Sequence, residues 1–157
     1  MHPFHAFFYV HDISASIHFY QNVLGCPVHI ASDTSFSIDF FGHGISFEYH
    51  QDFTKLPVGF TCDKQEVDAR QYVPSVHWGI NLTDKNIFDA LRTRLEQLKI
   101  DFLVKPTLYN KAQKNEQCLF FMKDPTGYII EFRFMSRAFH LHELEKWDQR
   151  SAGHARE

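Results

Sequence analysis

The chain has 157 residues, a formal net charge of -3 at pH 7 and 44% apolar residues. This length is typical of one domain, or of two half-size modules that share a core. Because the net charge is small and Lys and Arg form no block, nothing favours a nucleic acid or an anionic membrane as partner. We therefore expect a small-molecule partner, and some of the 17 Phe residues are available to line its pocket.

The sequence gives no sign of export or membrane insertion. It lacks a charged start followed by an apolar run, and no apolar stretch approaches the length of a membrane span. Cys26, Cys62 and Cys118 lie far apart without a Cys-x-x-Cys spacing, which predicts neither a disulfide framework nor a zinc–thiolate site. A reducing, cytoplasmic location is the expectation.

The first part of the chain, residues 1–52, predicts a strand, a helix and three further strands. Phe4 to Val10 is the first strand, and Asp12 or Ser14 can cap a helix that Gly25 ends. Three short apolar runs separated by turn residues predict the remaining strands, at 28–31, 36–40 and 44–49. Residues 53–74 are rich in polar and charged residues and are predicted to form a linker.

Residues 75–135 predict the same order of elements again. The predicted strands are 77–82, 102–104, 118–122 and 128–134, and Asp84 or Thr83 can cap the helix between the first two. The sequence Asp124-Pro-Thr-Gly127 places Pro and Gly where a hairpin turn needs them. The fold class is therefore α+β, with two βαβββ modules.

The C-terminal tail, residues 136–157, is more polar and predicts at most one short amphipathic helix. Its apolar positions are Phe139, Leu141, Leu144 and Trp147. Such a helix would pack on the body or on a second subunit, and we expect a homodimer.

An internal repeat supports the two modules. His5 and His77 each begin a pattern of His, four residues, an aliphatic residue, one residue and Asp, which ends at Asp12 and Asp84. Each copy therefore places a histidine at the start of its first strand.

Two glutamates complete a candidate metal site. Glu48 and Glu131 lie late in the last strand of each module, inside apolar runs where a carboxylate is normally avoided. If the modules pair symmetrically, these carboxylates can converge with His5 and His77. Nitrogen and oxygen donors without thiolate suit Fe(II), Mn(II), Ni(II), Co(II) or Zn(II).

Each of these residues also has an ordinary structural interpretation. A single histidine at a strand edge is more often a surface residue than a ligand, and the chain has 11 histidines. Glu48 can equally be a solvent-facing sheet residue, and His43 and His50 are nearby alternatives to it. The repeat is what favours the metal site.

The motifs resemble those of the vicinal oxygen chelate superfamily, which includes glyoxalase I, extradiol dioxygenases and the fosfomycin and bleomycin resistance proteins. The resemblance rests on the two His…Asp repeats, on Phe19-Tyr-Gln-Asn-Val-Leu-Gly25 and on the segment from Phe120 through Asp124-Pro-Thr-Gly127 to Glu131. It implies a curved sheet of paired modules that cups one divalent metal. It also implies His5, His77 and Glu131 as ligands, with Glu48 where many members carry a fourth.

Within the superfamily, residues 38–48 resemble a group of bacterial extradiol-type dioxygenases that often carry a histidine at the position of Glu48. This resemblance implies an oxygenase in which His5, His77 and Glu131 hold Fe(II), acting on a small catechol-like or enediol substrate. Possible pocket donors or acids are His43, Tyr49 and Tyr109.

Two alternatives stay open from the sequence. A glyoxalase-type lyase or isomerase would use Glu131 or Glu48 as base on a metal-chelated hydroxycarbonyl. Tyr9 stands where many glyoxalases carry an arginine for glutathione, which argues against that thiol. The third possibility is a metal-free binding protein whose Phe-rich sheet wraps an apolar ligand.

Overall fold

The computed structural model describes residues 3–54, 76–112 and 116–135, which form two copies of one module. The first contains strand β1 (His5–Val10), helix α1 (Ile13–His18) with a π-helical continuation (Phe19–Val23), and strands β2 (Val28–Ser32), β3 (Ser35–Phe40) and β4 (His43–Tyr49). The second contains β5 (Trp78–Leu82), helix α2 (Lys85–Gln97), β6 (Val104–Tyr109), β7 (Gln117–Lys123) and β8 (Ile129–Met135).

The two sheets have the same topology. Their strand orders are β1-β4-β3-β2 and β5-β8-β7-β6, so the first and last strands of each module are neighbours. That pair is parallel in both sheets, and the other neighbours are antiparallel. The predicted α+β fold of paired βαβββ modules is confirmed. The linker at 53–74 falls largely outside the described residues, the tail at 136–157 entirely so, and both stay predictions.

In both helices the N-cap is the predicted aspartate, Asp12 or Asp84, and not the alternative hydroxyl residue. The Asp12 side chain accepts a hydrogen bond of 2.9 Å from the backbone N–H of Ala15, and Asp84 accepts one of 2.8 Å from Asn86. Each bond satisfies an N–H that the first helical turn leaves without a partner. No helix among the described residues is long and apolar enough to cross a membrane.

Strand β6 differs most from its prediction. We expected it at 102–104, whereas it runs from Val104 to Tyr109 and includes Pro106. Proline lacks the N–H that a central strand needs, but β6 is an edge strand and its pairing is irregular between Val104 and Thr107. Edge strands and bulges tolerate proline, so Pro106 lies inside this strand.

The apolar core joins the two modules. The Trp78 ring at the start of the second module lies 5.2 Å from the ring of Phe8 and 4.9 Å from that of Phe40. One continuous cluster contains apolar residues of both helices and of one face of each sheet. Most of the described Phe residues therefore serve the core.

A buried hydrogen bond also connects the modules. The Tyr20 hydroxyl donates to Asp124 Oδ2 at 2.8 Å, and Asp124 Oδ1 accepts from the backbone N–H groups of Gly127 and Tyr128. Burial raises the pKa of the Asp124 carboxyl to about 6, although these hydrogen bonds oppose the shift. The Asp-Pro-Thr-Gly turn is thus held to the helical segment of the other module.

This carboxyl should make stability depend on pH. Its pKa in the folded chain is above the usual 3.8, so folding favours the protonated form, and that contribution is lost as pH rises through the folded value. We expect the unfolding free energy of the wild type, relative to Asp124→Asn, to decrease between about pH 4 and about pH 6. Denaturant unfolding of both proteins across this range measures it. If the difference in unfolding free energy between the two proteins stayed constant or rose with pH, the raised pKa of Asp124 would be contradicted.

Candidate metal-binding site

Each sheet has one face packed on the helices and one opposite face, which we call the site face. In β1, Ala6, Phe8 and Val10 belong to the core cluster or pack against it, so His5 and the other alternate residues lie on the site face. The register pairs Phe7 with Ser46 and Tyr9 with Glu48. The site face of the first sheet therefore carries His5, Phe7, Tyr9, Ser46 and Glu48.

The second sheet brings one predicted donor pair together. His77 Nε2 lies 3.4 Å from Glu131 Oε2, and the Glu131 residue is only 8% exposed. The ring of Phe121, the β7 neighbour of Glu131, stands edge-on to the His77 ring with centroids 5.1 Å apart. A buried carboxylate thus faces an imidazole beside an apolar wall.

Gly79 allows this placement of Glu131. The two residues are paired across β5 and β8, and a Cβ on Gly79 would lie 2.3 Å from the Glu131 carbonyl oxygen and 2.6 Å from its Cβ. These separations are far below van der Waals contact. A glycine is therefore required for β8 to bring Glu131 beside His77.

The repeated topology identifies the equivalent position in the first sheet. Gly79, two residues after His77, pairs with Glu131. Phe7, two residues after His5, pairs with Ser46. Ser46 is therefore the structural counterpart of Glu131, although the sequence had suggested Glu48 for that place.

The contacts agree with this equivalence. His5 Nε2 lies 3.4 Å from Ser46 Oγ, which in turn is 3.1 Å from Ser37 Oγ. The first module thus has a histidine–hydroxyl contact where the second has a histidine–carboxylate contact. Glu48, the partner of Tyr9, corresponds instead to Arg133, the partner of Asn81.

These contacts provide only part of a metal site. Imidazole and carboxylate are suitable ligands for a divalent metal, and His77 with Glu131 forms half of such a site. Among the described residues, however, no three His, Cys, Asp or Glu side chains lie close enough together to hold an ion. The structure assembles two of the four predicted ligands, and the roles of His5 and Glu48 stay predictions.

The three predicted pocket residues occupy different places. Tyr109 packs against an apolar cluster of Leu119, Phe121 and Ile129 on the site face of the second sheet. Tyr49 is exposed at the end of β4, whereas His43 at its start accepts a 3.0 Å hydrogen bond at Nδ1 from the Phe4 backbone N–H. His43 Nε2 then carries the proton in the neutral ring.

A cavity of about 380 Å³ opens beside Gly44, the β4 partner of His5. Its lining consists of Pro27, Val28, His29, Ser37, Ile38, Asp39, Gly42, His43 and Gly44. The cavity lining therefore includes His43, which the sequence proposed as a pocket donor, and the register partner of the candidate ligand His5.

Sequence reasoning missed several polar residues of the site face. Ser37 and Ser46 contact each other near His5, and Arg133 Nε donates a 2.6 Å hydrogen bond to Asn81 Oδ1. Ser and Asn are frequent everywhere, so they carry no signal by type alone. Asn81 lies four positions after His77 and Arg133 two positions after Glu131, but only the strand register shows that these two residues are partners.

Known structures share this architecture. A glyoxalase/bleomycin resistance protein/dioxygenase from Alicyclobacillus acidocaldarius is 22% identical, with 87% of this chain and 92% of that chain covered and a TM-score of 0.68. A domain of the same description from Frankia sp. is 16% identical, with 92% and 98% covered and a TM-score of 0.58. Lactoylglutathione lyase from Agrobacterium tumefaciens is 17% identical, with 85% and 92% covered and a TM-score of 0.57.

These identities establish the fold alone. None of the curated proteins compared with the chain matches it. The family model described as Glyoxalase/Bleomycin resistance protein/Dioxygenase superfamily matches residues 2–132. The chain therefore belongs to this superfamily, as its motifs had indicated.

Proposed function

We propose that the chain is a metal-dependent, extradiol-type dioxygenase that acts on a small catechol-like or enediol substrate. The observation that supports this best is the register that makes Ser46, and not a carboxylate, the counterpart of Glu131. The proposed ligands are then His5, His77 and Glu131. Two histidines and one carboxylate are typical of non-haem Fe(II) oxygenases, which need open coordination positions.

In this proposal the donor residues would hold Fe(II), with Mn, Ni, Co and Zn as other possible ions. When bound, the ion would supply Lewis acidity and redox chemistry toward O₂. Glu131 is suited to the role because its carboxylate is buried beside His77 and Phe121 excludes water from one side. His5 would have to join this pair, either from the same chain or from a second copy.

His43 would act on the substrate as a hydrogen-bond donor. Its Nδ1 accepts from the Phe4 N–H, so the ring's own N–H is at Nε2, and the ring lines the cavity next to Gly44. An imidazole N–H so fixed can donate a hydrogen bond to a substrate oxygen.

The first sheet offers an aromatic surface for a planar substrate. Phe7 and Tyr9 on its site face are 48% and 40% exposed, with ring centroids 5.3 Å apart. Exposed aromatic rings at a candidate site favour contact with another ring, since offset and edge-on pairs are attractive. Tyr9 offers no charge for the carboxylates of glutathione.

A glyoxalase-type lyase or isomerase is the second candidate. It is favoured by Glu48, whose carboxylate lies on the site face and is exposed, and by the fold shared with a lactoylglutathione lyase. There Glu48 or Glu131 would be the base on a hydroxycarbonyl substrate.

We also propose a homodimer. The C-terminal helix predicted to take part in it lies outside the described residues.

Metal analysis followed by oxygen consumption tests the proposed function. We expect one Fe(II) per chain after anaerobic loading, O₂ uptake with a catechol, and loss of metal in the double variant His5→Ala plus His77→Ala. His18→Ala is a control that removes a histidine of helix α1, away from the site face. Turnover of a 2-oxoaldehyde thiol adduct without O₂ uptake would instead favour the lyase, and unchanged metal content in the first variant would place the ligands elsewhere.

A further inference from the structure

Arg133 places a positive charge on the site face of the second sheet. It lies two residues after Glu131 on β8, so both side chains are on the same face. Its Nε donates to Asn81 Oδ1 at 2.6 Å but lies 4.0 Å from Glu131 Oε1, beyond hydrogen-bond distance. The amide oxygen is neutral, so it orients the guanidinium, and the carboxylate beside it among the described residues is Glu131, at the outer limit of an ion pair.

The surroundings of this charge are apolar and partly open. Arg133 is paired across β7 with the buried Leu119, and the buried Phe121 follows on the same face. The Arg133 side chain is 32% exposed, so an anion can reach it. A cation at the rim of an apolar patch is suited to a ligand with an apolar body and one acidic group.

We infer that Arg133 binds the carboxylate of the substrate, which makes the substrate class an aromatic carboxylate. This inference rests on the proposed function, because it describes the ligand of that same site. A guanidinium has five N–H donors, and with Nε held by Asn81 no described residue hydrogen-bonds its terminal nitrogens, which suit the two oxygens of a carboxylate. Asn81 is a positioning residue that fixes the plane of the fork.

The competing interpretation is purely structural: Arg133 and Asn81 tie β8 to β5, on which they are register partners. A structural role predicts altered stability after substitution but no discrimination between charged and neutral ligands. Selectivity for charge therefore separates the two interpretations.

Benzoate and benzamide provide the test, because both carry the same ring and only benzoate is charged. We expect the purified protein, titrated by NMR, to bind benzoate at least about tenfold more tightly, since charge-assisted hydrogen bonds are stronger than neutral ones. Arg133→Gln should abolish the preference. Arg133→Lys should retain part of it, and Arg92→Gln, on helix α2, should retain all of it.

Two results would overturn the inference. One is a wild type that does not prefer benzoate. The other is a preference that survives in Arg133→Gln, which is the result expected if a metal binds the carboxylate. Thermal unfolding checks that each variant is folded, and Asn81→Ala should weaken the preference while the charge remains. The outcome is separable from that of the proposed function. If the protein prefers benzoate but consumes no O₂, the anion site stands and the dioxygenase proposal fails. If it consumes O₂ but shows no preference for benzoate, the dioxygenase proposal stands and the anion site fails.

Discussion

Glu131→Ala is expected to reduce metal affinity by more than about 100-fold, because losing a residue that merely orients a ligand already costs about 10–100-fold. The reason is the contact of Glu131 with His77, which brings two of the four predicted ligands together. Glu48→Ala is the matched control, since it removes an exposed carboxylate from the same kind of strand. In the three-donor site that we propose, the control retains its metal. Equilibrium metal binding with a competing chelator measures both affinities.

Ser46→Glu extends this experiment to the position that the register identifies. The new carboxylate would be the counterpart of Glu131 and would lie beside His5. Such a fourth donor should preserve metal binding and suppress O₂ uptake with catechols, because it occupies a coordination position that the reaction needs. Equal loss of metal in Glu48→Ala and Glu131→Ala would contradict the three-donor site and favour the lyase.

Gly79→Ala is expected to be the most damaging single methyl group added to the described strands. Its Cβ would overlap the Glu131 carbonyl oxygen, which lies 2.3 Å away and belongs to the backbone of β8. Because neither strand can yield without breaking their pairing, we expect a loss of about 3 kcal/mol or more, at the upper end of the usual cost of overpacking. Displacement of Glu131 should weaken metal binding as well.

Gly44→Ala is the matched control for this substitution. Gly44 is also a strand glycine beside a candidate ligand, but a Cβ there would meet only His5 Cδ2 at 3.9 Å, an ordinary contact. We expect its unfolding free energy to stay within about 1 kcal/mol of the wild type. Alanine lowers the conformational entropy of the unfolded chain relative to glycine, which favours folding slightly. Denaturant unfolding compares the two variants. Similar stability of both would show that β5 and β8 can separate at Gly79 without cost.

The sequence by itself was sufficient for the modules and for one half of the site. Local patterns determine the helices, because Asp12 and Asp84 can reach the N–H groups of their own first turns. The repeat of His5 and His77 predicted the duplicated topology. Glu131 was identifiable because it follows a recognisable turn inside an apolar run, where burial of a carboxylate calls for a specific partner.

Only the tertiary structure decided which residue stands opposite each histidine. In a parallel strand pair the partner is set by the register between β1 and β4, elements separated by most of a module, and sequence spacing leaves this register open by a residue or two. That is why Glu48 seemed equivalent to Glu131, whereas Ser46 occupies the place and Arg133 is the counterpart of Glu48. Glu48 and Ser46 are two residues apart on β4, so both lie on the same face of the sheet. The register places the Ser46 hydroxyl, and not the Glu48 carboxylate, beside His5, and this changes the set of donor groups at the site.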